Sequence, residues 1–309
     1  MNKILIKLLY IIIVPVIVII ASLELPPNKS FKKSLMFAQL DKNKLLKETL
    51  SPRIIFIGGS NISFGLDSKK IKDSLKVNPI NTGVSAGIGL KFMMANTGKY
   101  IKENDIIVMS PEYHQFYGDF ADGDLDLLSV ITDVSTESFK LLDFRQKFKL
   151  SKFLPEFSSS KYSGFLKNDN TATNDTTIGI YDRLSFNSFG DVYIHWKLPV
   201  QKFSIYDFKG NFNEDIIQSI TKFQELVNSK KAKLFITFPC YEDSSYEYSK
   251  TKIKEVEDKL IANGFTLIST PEEYKMPAKL MFNSAYHLNK MGVDYRTELL
   301  IEDIKVECK

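Results

Sequence analysis

Residues 53–65 read Arg-Ile-Ile-Phe-Ile-Gly-Gly-Ser-Asn-Ile-Ser-Phe-Gly, and they carry the strongest structural signal in the chain. The apolar run 54–57 is short and continuous, which is typical of a strand buried on both faces of a sheet. Gly58 and Gly59 follow, and they allow a sharp turn that places Ser60 at a strand-to-helix corner. Reactive side chains of α/β folds occupy such corners, although a short Gly-Gly-Ser motif more often marks an ordinary turn.

Strand and helix patterns alternate on both sides of this stretch. The pattern predicts strands at 53–57, 78–82, 106–109, 233–238, 265–268 and 279–282. It predicts helices at 67–75, 90–101, 213–229, 246–263 and from 294 onward, with a further helical stretch near 136–149. Alternation of this kind predicts a parallel sheet with right-handed crossovers. We therefore expect an α/β fold.

Two further loops are predicted to lie at the same sheet edge as Ser60. Residues 83–89, Gly-Val-Ser-Ala-Gly-Ile-Gly, follow the second strand, and His287 follows the last one. Serine is a weak nucleophile at neutral pH and needs a base within hydrogen-bond reach, a role that His287 would fill. The backbone amides of Ser60 and Gly83 lie in tight turns and are the predicted donors to an oxyanion.

Length and charge limit the classes of function. The 309 residues, 44% of them hydrophobic, suffice for a large α/β core. The net charge is only +4 and the lysines are scattered, so the composition gives no support to nucleic-acid binding.

The histidines are far apart and no metal-ligand spacing occurs, so we expect neither a metal nor another cofactor. Cys240 and Cys308 leave a disulfide open without predicting one.

The N-terminus predicts a membrane anchor. Residues 4–21 are almost wholly apolar and begin beside Lys3 and Lys7, which favours a cytoplasmic start and an exported remainder. A cleaved signal peptide is the alternative, but the residues after the run make a poor cleavage site. The predicted organisation is an anchor at 1–23, a linker at 24–50 and one domain at 51–309, with an insertion at about 117–212. An insertion of this length is either a lid or substrate-recognition region or a surface excursion.

The order of the motifs resembles that of the SGNH (GDSL-like) hydrolase superfamily. The motifs are Gly-Gly-Ser-Asn at 58–61, Asn-Thr-Gly at 81–83 and Tyr-His-Leu-Asn-Lys-Met-Gly at 286–292. The chain is similar, more narrowly, to membrane-anchored SGNH-like proteins that act on bacterial envelope polymers, including those paired with membrane-bound O-acyltransferases. The resemblance covers residues 53–116 and 213–305, and it implies a three-layer α/β/α sandwich with a flavodoxin-like parallel sheet.

The resemblance also assigns roles to single residues. It implies that Ser60 is the nucleophile, that His287 is the base and later the acid, and that the Ser60 and Gly83 amides form the oxyanion hole. The superfamily usually has Asp three residues before the histidine, where this chain has Ser284, preceded by Asn283. An amide can orient an imidazole, so Asn283 is the predicted third member, but it offers no charge to an imidazolium.

Two other positions depart from the superfamily pattern. Gly59 stands where the first motif usually has Asp, and residues 110–114, Ser-Pro-Glu-Tyr-His, lack the usual oxyanion-hole asparagine. Glu112 is a carboxylate that could substitute for the missing acid. The residues predicted to line the site are Asn61, Glu112, His114 and Ser284.

Two functions follow as expectations. The first is a serine-dependent esterase or O-acyltransferase that acts on acyl groups of a cell-envelope polysaccharide, in an extracytoplasmic, membrane-anchored protein. The alternative is a catalytically degraded SGNH-like domain that binds a glycan or partners a membrane-bound O-acyltransferase. The missing carboxylate before His287 keeps the alternative open.

Overall fold

A computed structural model describes residues 3–166 and 178–307 of the chain. Its α-helices are α1 (Lys3–Leu23), α2 (Lys29–Lys33), α3 (Ala38–Glu48), α4 (Ser60–Ser63), α5 (Ser68–Leu75), α6 (Leu90–Gly98), α7 (Leu125–Ser129), α8 (Phe144–Ser151), α9 (Leu154–Leu166), α10 (Glu214–Ser229), α11 (Asp243–Ala262) and α12 (Lys290–Glu307). Its strands are β1 (Arg53–Ile57), β2 (Asn78–Asn81), β3 (Ile106–Met109), β4 (Lys233–Ile236), β5 (Tyr241–Glu242) and β6 (Lys275–Met276).

The main sheet has four strands in the order β2-β1-β3-β4, and all of its pairings are parallel. The predicted α/β fold with a parallel sheet is therefore confirmed. The strands predicted at 53–57 and 106–109 have the bounds of β1 and β3. Strand β1 lies between two neighbours, so the segment that leads to Ser60 starts from the interior of the sheet.

Both faces of the sheet are buried. Ile55 and Ile57 of β1 belong to the larger hydrophobic core, while Ile54 and Phe56 belong to a second core on the opposite face. All four side chains are fully buried, because helices cover both faces of the parallel sheet. The continuous apolar run that predicted β1 reflects this burial on two sides.

The C-terminal strand predictions are wrong in detail. Residues 279–282 form no strand of the main sheet; a single 3₁₀ turn, Ala278–Leu280, is followed by one antiparallel bridge between Met281 and Leu288. Residues 265–268 contribute one parallel bridge, between Leu267 and Ile236. Short apolar segments bury their side chains equally well in turns and in strands, so periodicity does not separate the two.

Other elements also differ from the sequence pattern. The helix suggested at 136–149 is a 3₁₀ helix, Thr136–Leu141, followed by α8, because Asp143 caps a new helix with a reciprocal capping box to Gln146. The closing helix begins at Lys290, four residues before the predicted start.

The N-terminal residues are helical, but the predicted membrane anchor at 1–23 is not supported. Within residues 3–166 and 178–307, no helix is long and apolar enough to cross a membrane. The predicted linker at 24–50 contains α2 and α3, and Leu46 of α3 is buried in the larger core.

The two ends of the predicted insertion meet. Tyr117 and Phe212 form an antiparallel bridge, and the amide of Gly118 donates to the Asn211 carbonyl over 2.9 Å. The insertion leaves and re-enters the fold at one place, just after β3 and just before α10. Cys240 is buried, and Cys308 lies outside the described residues.

A buried ion pair joins the starts of β1 and β3. Arg53 Nε donates to Asp105 Oδ1 over 2.8 Å, and a second guanidinium nitrogen contacts the other carboxylate oxygen. The same guanidinium donates to the Leu46 carbonyl of α3 over 2.6 Å and to the Tyr100 carbonyl over 2.8 Å. Both side chains are fully buried, so each charge depends on the other for its compensation.

Replacing Asp105 with Ala is expected to destabilise the fold by about 3–5 kcal/mol, because it leaves the Arg53 guanidinium buried without its counter-charge. Urea unfolding monitored by circular dichroism measures the change. Glu103→Ala is the control, since its pair with Lys231 is exposed and should contribute less than about 1 kcal/mol. Equal losses for the two variants would contradict the prediction.

Candidate active site

Ser60 is the first residue of α4 and directly follows the tight turn at Gly58 and Gly59 that ends β1. Gly59 is required there, because a Cβ at this position would lie 2.5 Å from Glu112 Oε1 and 2.7 Å from the backbone of Ala86. The absence of a side chain at Gly59 is thus explained by a carboxylate that arrives from another part of the chain. Ser60 is partly exposed, whereas its neighbours on both sides are buried.

Hydrogen bonds from two other elements hold this turn in place. The Asn61 side chain donates to the Ser110 carbonyl over 3.0 Å, at the end of β3. Arg296 of α12 donates to the Asn61 carbonyl over 2.6 Å and to Ser110 Oγ over 3.0 Å. Asn61 is fully buried, so its side chain supports the turn from behind and does not line the site.

The structure gives His287 a defined tautomer. Asn283 Nδ2 donates to the Tyr181 hydroxyl over 2.8 Å, so its Oδ1 faces His287 Nδ1 at 2.8 Å as an acceptor. In this orientation of the Asn283 amide, His287 Nδ1 carries the hydrogen and Nε2 keeps its lone pair. Asn283 thus orients the imidazole as the acidic member of a catalytic triad would, although it is neutral.

Packing and a local turn also fix the position of the His287 ring. Its face stacks on Phe64 of the Ser60 turn, with ring centroids 4.2 Å apart and an interplanar angle of 11°. Ser284 Oγ accepts hydrogen bonds from the backbone amides of His287, over 3.1 Å, and Tyr286, over 3.2 Å. Ser284 therefore closes the loop that presents His287.

Burial lowers the pKa of His287 to about 3, and the neighbouring His195 contributes in the same direction. The ring is neutral at physiological pH and able to accept a proton at Nε2. The imidazolium that would result is poorly stabilised, because Asn283 supplies no negative charge.

One cavity of about 340 Å³ brings together most of the predicted site residues. They are Ser60, Glu112, His114, Ser284 and His287. Ser85, from the glycine-rich loop 83–89 predicted at this edge, also lines the cavity. Sequence reasoning missed four further lining residues, all from the predicted insertion: Phe120, Asp124, Asp126 and Tyr206. No motif marked these four residues, and only the fold brings them to the sheet edge.

Glu112 lies directly beside the Ser60 turn. Its carboxylate accepts hydrogen bonds from the amides of Gly59 and Asn61, each over 3.2 Å. Burial raises the pKa of Glu112, and the two amides and the Arg296 guanidinium partly oppose that rise. The amides on both sides of Ser60 are thus engaged, while the Ser60 amide between them has no partner among the described residues.

The Gly83 amide, predicted as the second oxyanion donor, is already bonded. It donates to Asn81 Oδ1 over 3.0 Å, and Gly83 lies outside the cavity lining. A Cβ on Gly83 would lie 2.5 Å from the Gly59 carbonyl oxygen, so this glycine serves the close packing of the two loops.

The remaining cavity wall is acidic. Ser85 Oγ donates to Asp126 Oδ2 over 2.5 Å, and Asp124 accepts the Asp126 amide at the start of α7. Burial raises the pKa of both aspartates. Among the described residues, no three His, Cys, Asp or Glu side chains are arranged to hold a metal ion.

The other two histidines differ in their surroundings. His114 lines the cavity and packs edge-on against Phe120 and Tyr286, and burial lowers its pKa to about 3. His195, in the predicted insertion, is fully buried and its Nε2 contacts the Leu288 carbonyl at 3.0 Å. His195 therefore supports the loop that carries His287 and forms no exposed surface.

Nitrogen-15 NMR of labelled histidines should show His287 protonated at Nδ1 and unprotonated at Nε2, without titration between about pH 5 and pH 8. The reason is that burial places its pKa at about 3, below this window. The urea-unfolded chain is the control, in which all histidines should titrate near pH 6.5, about the value of an exposed imidazole. A folded-state midpoint near that value for His287 would contradict the described burial.

Comparison with protein-family models and with curated proteins gives no match. Function is therefore inferred from the residues of the cavity and from the motifs that lead to them.

Proposed function

We propose that the chain is a serine-dependent acyl hydrolase or acyltransferase of the SGNH type. The observation that carries the proposal is that Ser60 and the hydrogen-bonded imidazole of His287 line the same cavity. Asn283 fixes the His287 tautomer, so that the unprotonated Nε2 remains to accept a proton.

The proposed reaction uses these two side chains in sequence. Ser60 Oγ attacks the acyl carbon while its proton passes to His287 Nε2, and the carbonyl π electrons move to the oxygen. The intermediate collapses as the imidazolium gives its proton to the leaving oxygen. Water or a sugar hydroxyl then attacks the acyl-Ser60 ester and gives its proton to His287, and the imidazolium returns that proton to Ser60 Oγ as the carbon to Oγ bond breaks.

The sheet supports the same assignment. The order β2-β1-β3-β4, extended by the parallel bridge at Leu267, matches the beginning of a flavodoxin-like strand order. Burial on both faces agrees with a three-layer α/β/α sandwich. In open sheets of this kind, ligands bind at the carboxyl ends of the strands, which is where Ser60 and Glu112 follow β1 and β3.

The substrate part of the proposal depends on the sequence resemblance alone. It names acyl groups of an envelope polysaccharide as the substrate, an extracytoplasmic location, and a membrane-bound O-acyltransferase as the partner. The polar cavity wall, with Ser85, Asp124 and Asp126, agrees with a hydroxyl-rich substrate, because carboxylates accept hydrogen bonds from sugar hydroxyls.

A binding domain without catalysis is the second candidate. Three of the amides near Ser60 already have acceptors, since Gly59 and Asn61 donate to Glu112 and Gly83 donates to Asn81. An esterase needs unengaged donors for the oxyanion, so this arrangement favours a degraded site. The Ser60 amide is still able to donate to an oxyanion, which keeps the enzyme as the first candidate.

A fluorophosphonate probe should label the wild-type protein, and Ser60→Ala should abolish the labelling without a change in thermal stability. The reason is that Ser60 supplies the nucleophilic oxygen and lies partly exposed in the cavity. Intact-mass spectrometry and peptide mapping locate the adduct. Ser63→Ala, a buried serine in the same short helix, is the matched control and should keep its labelling. Persistent labelling of Ser60→Ala would exclude Ser60 as the nucleophile.

Replacing Asn283 with Asp should raise the labelling rate at pH 7 by about ten- to a hundredfold. A carboxylate beside Nδ1 stabilises the imidazolium and moves the pKa of His287 upward by about 1–3 units. A protonated His287 cannot accept the Ser60 proton, and with the raised pKa this form is populated at higher pH. As the pH is lowered, the labelling rate should therefore begin to fall at a higher pH than in the wild type. Asn263→Asp, on the exposed end of α11, controls for added charge. An unchanged or lower rate for Asn283→Asp would favour the binding domain.

A further inference from the structure

The Glu112 carboxyl group lies beside Ser60, where its charge affects any reaction at the serine. Each oxygen of its carboxylate accepts one amide, from Gly59 on one side of Ser60 and from Asn61 on the other. Gly59 has no side chain, and Glu112 Oε1 lies only 2.5 Å from where its Cβ would be. The carboxyl group therefore lies against the backbone of the turn that carries the nucleophile.

The tetrahedral intermediate at Ser60 bears a negative charge that needs hydrogen-bond donors. An ionised Glu112 places a second negative charge beside it and also engages the Gly59 and Asn61 amides. A protonated Glu112 has no charge and carries an O–H that can donate. Buried carboxylic acids that stay protonated act as oxyanion donors in this way.

We propose that Glu112 is a catalytic residue that acts in its carboxylic acid form as an oxyanion donor to the Ser60 intermediate, and that its ionised form blocks the same step. This inference rests on the proposed function, because it assigns a donor to that reaction.

The step balances without a further reactant. When the Ser60 Oγ to carbon bond forms, the Ser60 proton moves to His287 Nε2 and the π electrons move to the carbonyl oxygen. Glu112 donates a hydrogen bond to that oxygen and keeps its proton. When the carbon to leaving-oxygen bond breaks, the imidazolium proton goes to the leaving oxygen, and Glu112 is unchanged.

The groups around Glu112 determine which form it takes. Burial favours the acid, while the Arg296 guanidinium of α12 and the two amides favour the carboxylate. The other titratable neighbours are uncharged: the pKa values of Tyr206 and Tyr286 are raised by burial and also by Glu112, and that of His114 is lowered by burial to about 3. The protonation state of Glu112 therefore depends mainly on burial, which favours the acid, and on the Arg296 cation, which favours the carboxylate.

The test compares the rate of fluorophosphonate labelling of the wild type and of Glu112→Gln between pH 4.5 and pH 8.5. Labelling forms a bond from Ser60 Oγ to phosphorus, releases fluoride and places an oxyanion-like phosphoryl oxygen at the same donors. The wild-type rate should fall about tenfold per pH unit above the titration of Glu112, because one proton is required. Glu112→Gln should lose this dependence and react at least about tenfold faster at pH 7.5, since its amide donates without charge.

Two further variants separate chemistry from support of the fold. Glu112→Ala removes both the charge and the donor, so its rate at pH 7.5 should lie between those of the wild type and Glu112→Gln. Glu103→Gln, an exposed glutamate at the opposite end of β3, should keep the wild-type pH profile. Thermal unfolding shows whether each variant is folded at the assay temperature.

The outcomes distinguish this inference from the proposed function. If Ser60 is labelled but the wild-type rate rises with pH, or Glu112→Gln is slower at every pH while folded, Glu112 supports the turn and the inference is overturned while the function stands. If Ser60 is labelled in neither protein at any pH, the proposed function fails and the inference fails with it. A falling wild-type profile that Glu112→Gln abolishes supports both.

Discussion

The Arg296 guanidinium is the interaction on which the site depends. It donates from α12 to the Asn61 carbonyl in the Ser60 turn and to Ser110 at the end of β3, so it joins the sheet edge to the helix that follows His287. A Cβ on Gly65 would lie 2.2 Å from Nη1 of this guanidinium, which explains the glycine that ends the Ser60 segment. Ser60 and His287 come from distant parts of the sequence, and this buried cation links the turn that carries Ser60 to the helix that follows His287.

Desolvation is the common cause of the unusual electrostatics of the cavity. It keeps His287 and His114 neutral, and it raises the pKa values of Glu112, Asp124 and Asp126. The neutral amide of Asn283 contacts His287 Nδ1 without adding a charge beside it. The site therefore favours orientation of the imidazole over stabilisation of its charged form.

The sequence predicted those parts of the fold that local patterns determine. The apolar run 54–57, the glycines after it and the alternation of elements gave β1, the parallel sheet and the position of Ser60. His287 was placed at the same edge through a strand at 279–282 that does not exist; the edge is reached instead by a turn and one bridge. Phe64 stacking and the hydrogen bonds of Glu112 join residues distant in sequence, and no periodicity encodes such contacts. Asp124, Asp126 and Tyr206 lie in a segment without motifs, so only tertiary packing reveals them.

The bridge between Tyr117 and Phe212 has an evolutionary consequence. Where a chain departs from a scaffold and returns to it at adjoining residues, the intervening segment can lengthen, shorten or be exchanged at a small cost in loop-closure entropy. The segment between these residues supplies Phe120, Asp124, Asp126 and Tyr206 to the cavity wall, whereas Ser60, Glu112 and His287 belong to the scaffold. Relatives of this protein could therefore differ in this part of the cavity wall while they keep Ser60, Glu112 and His287 on an unchanged scaffold.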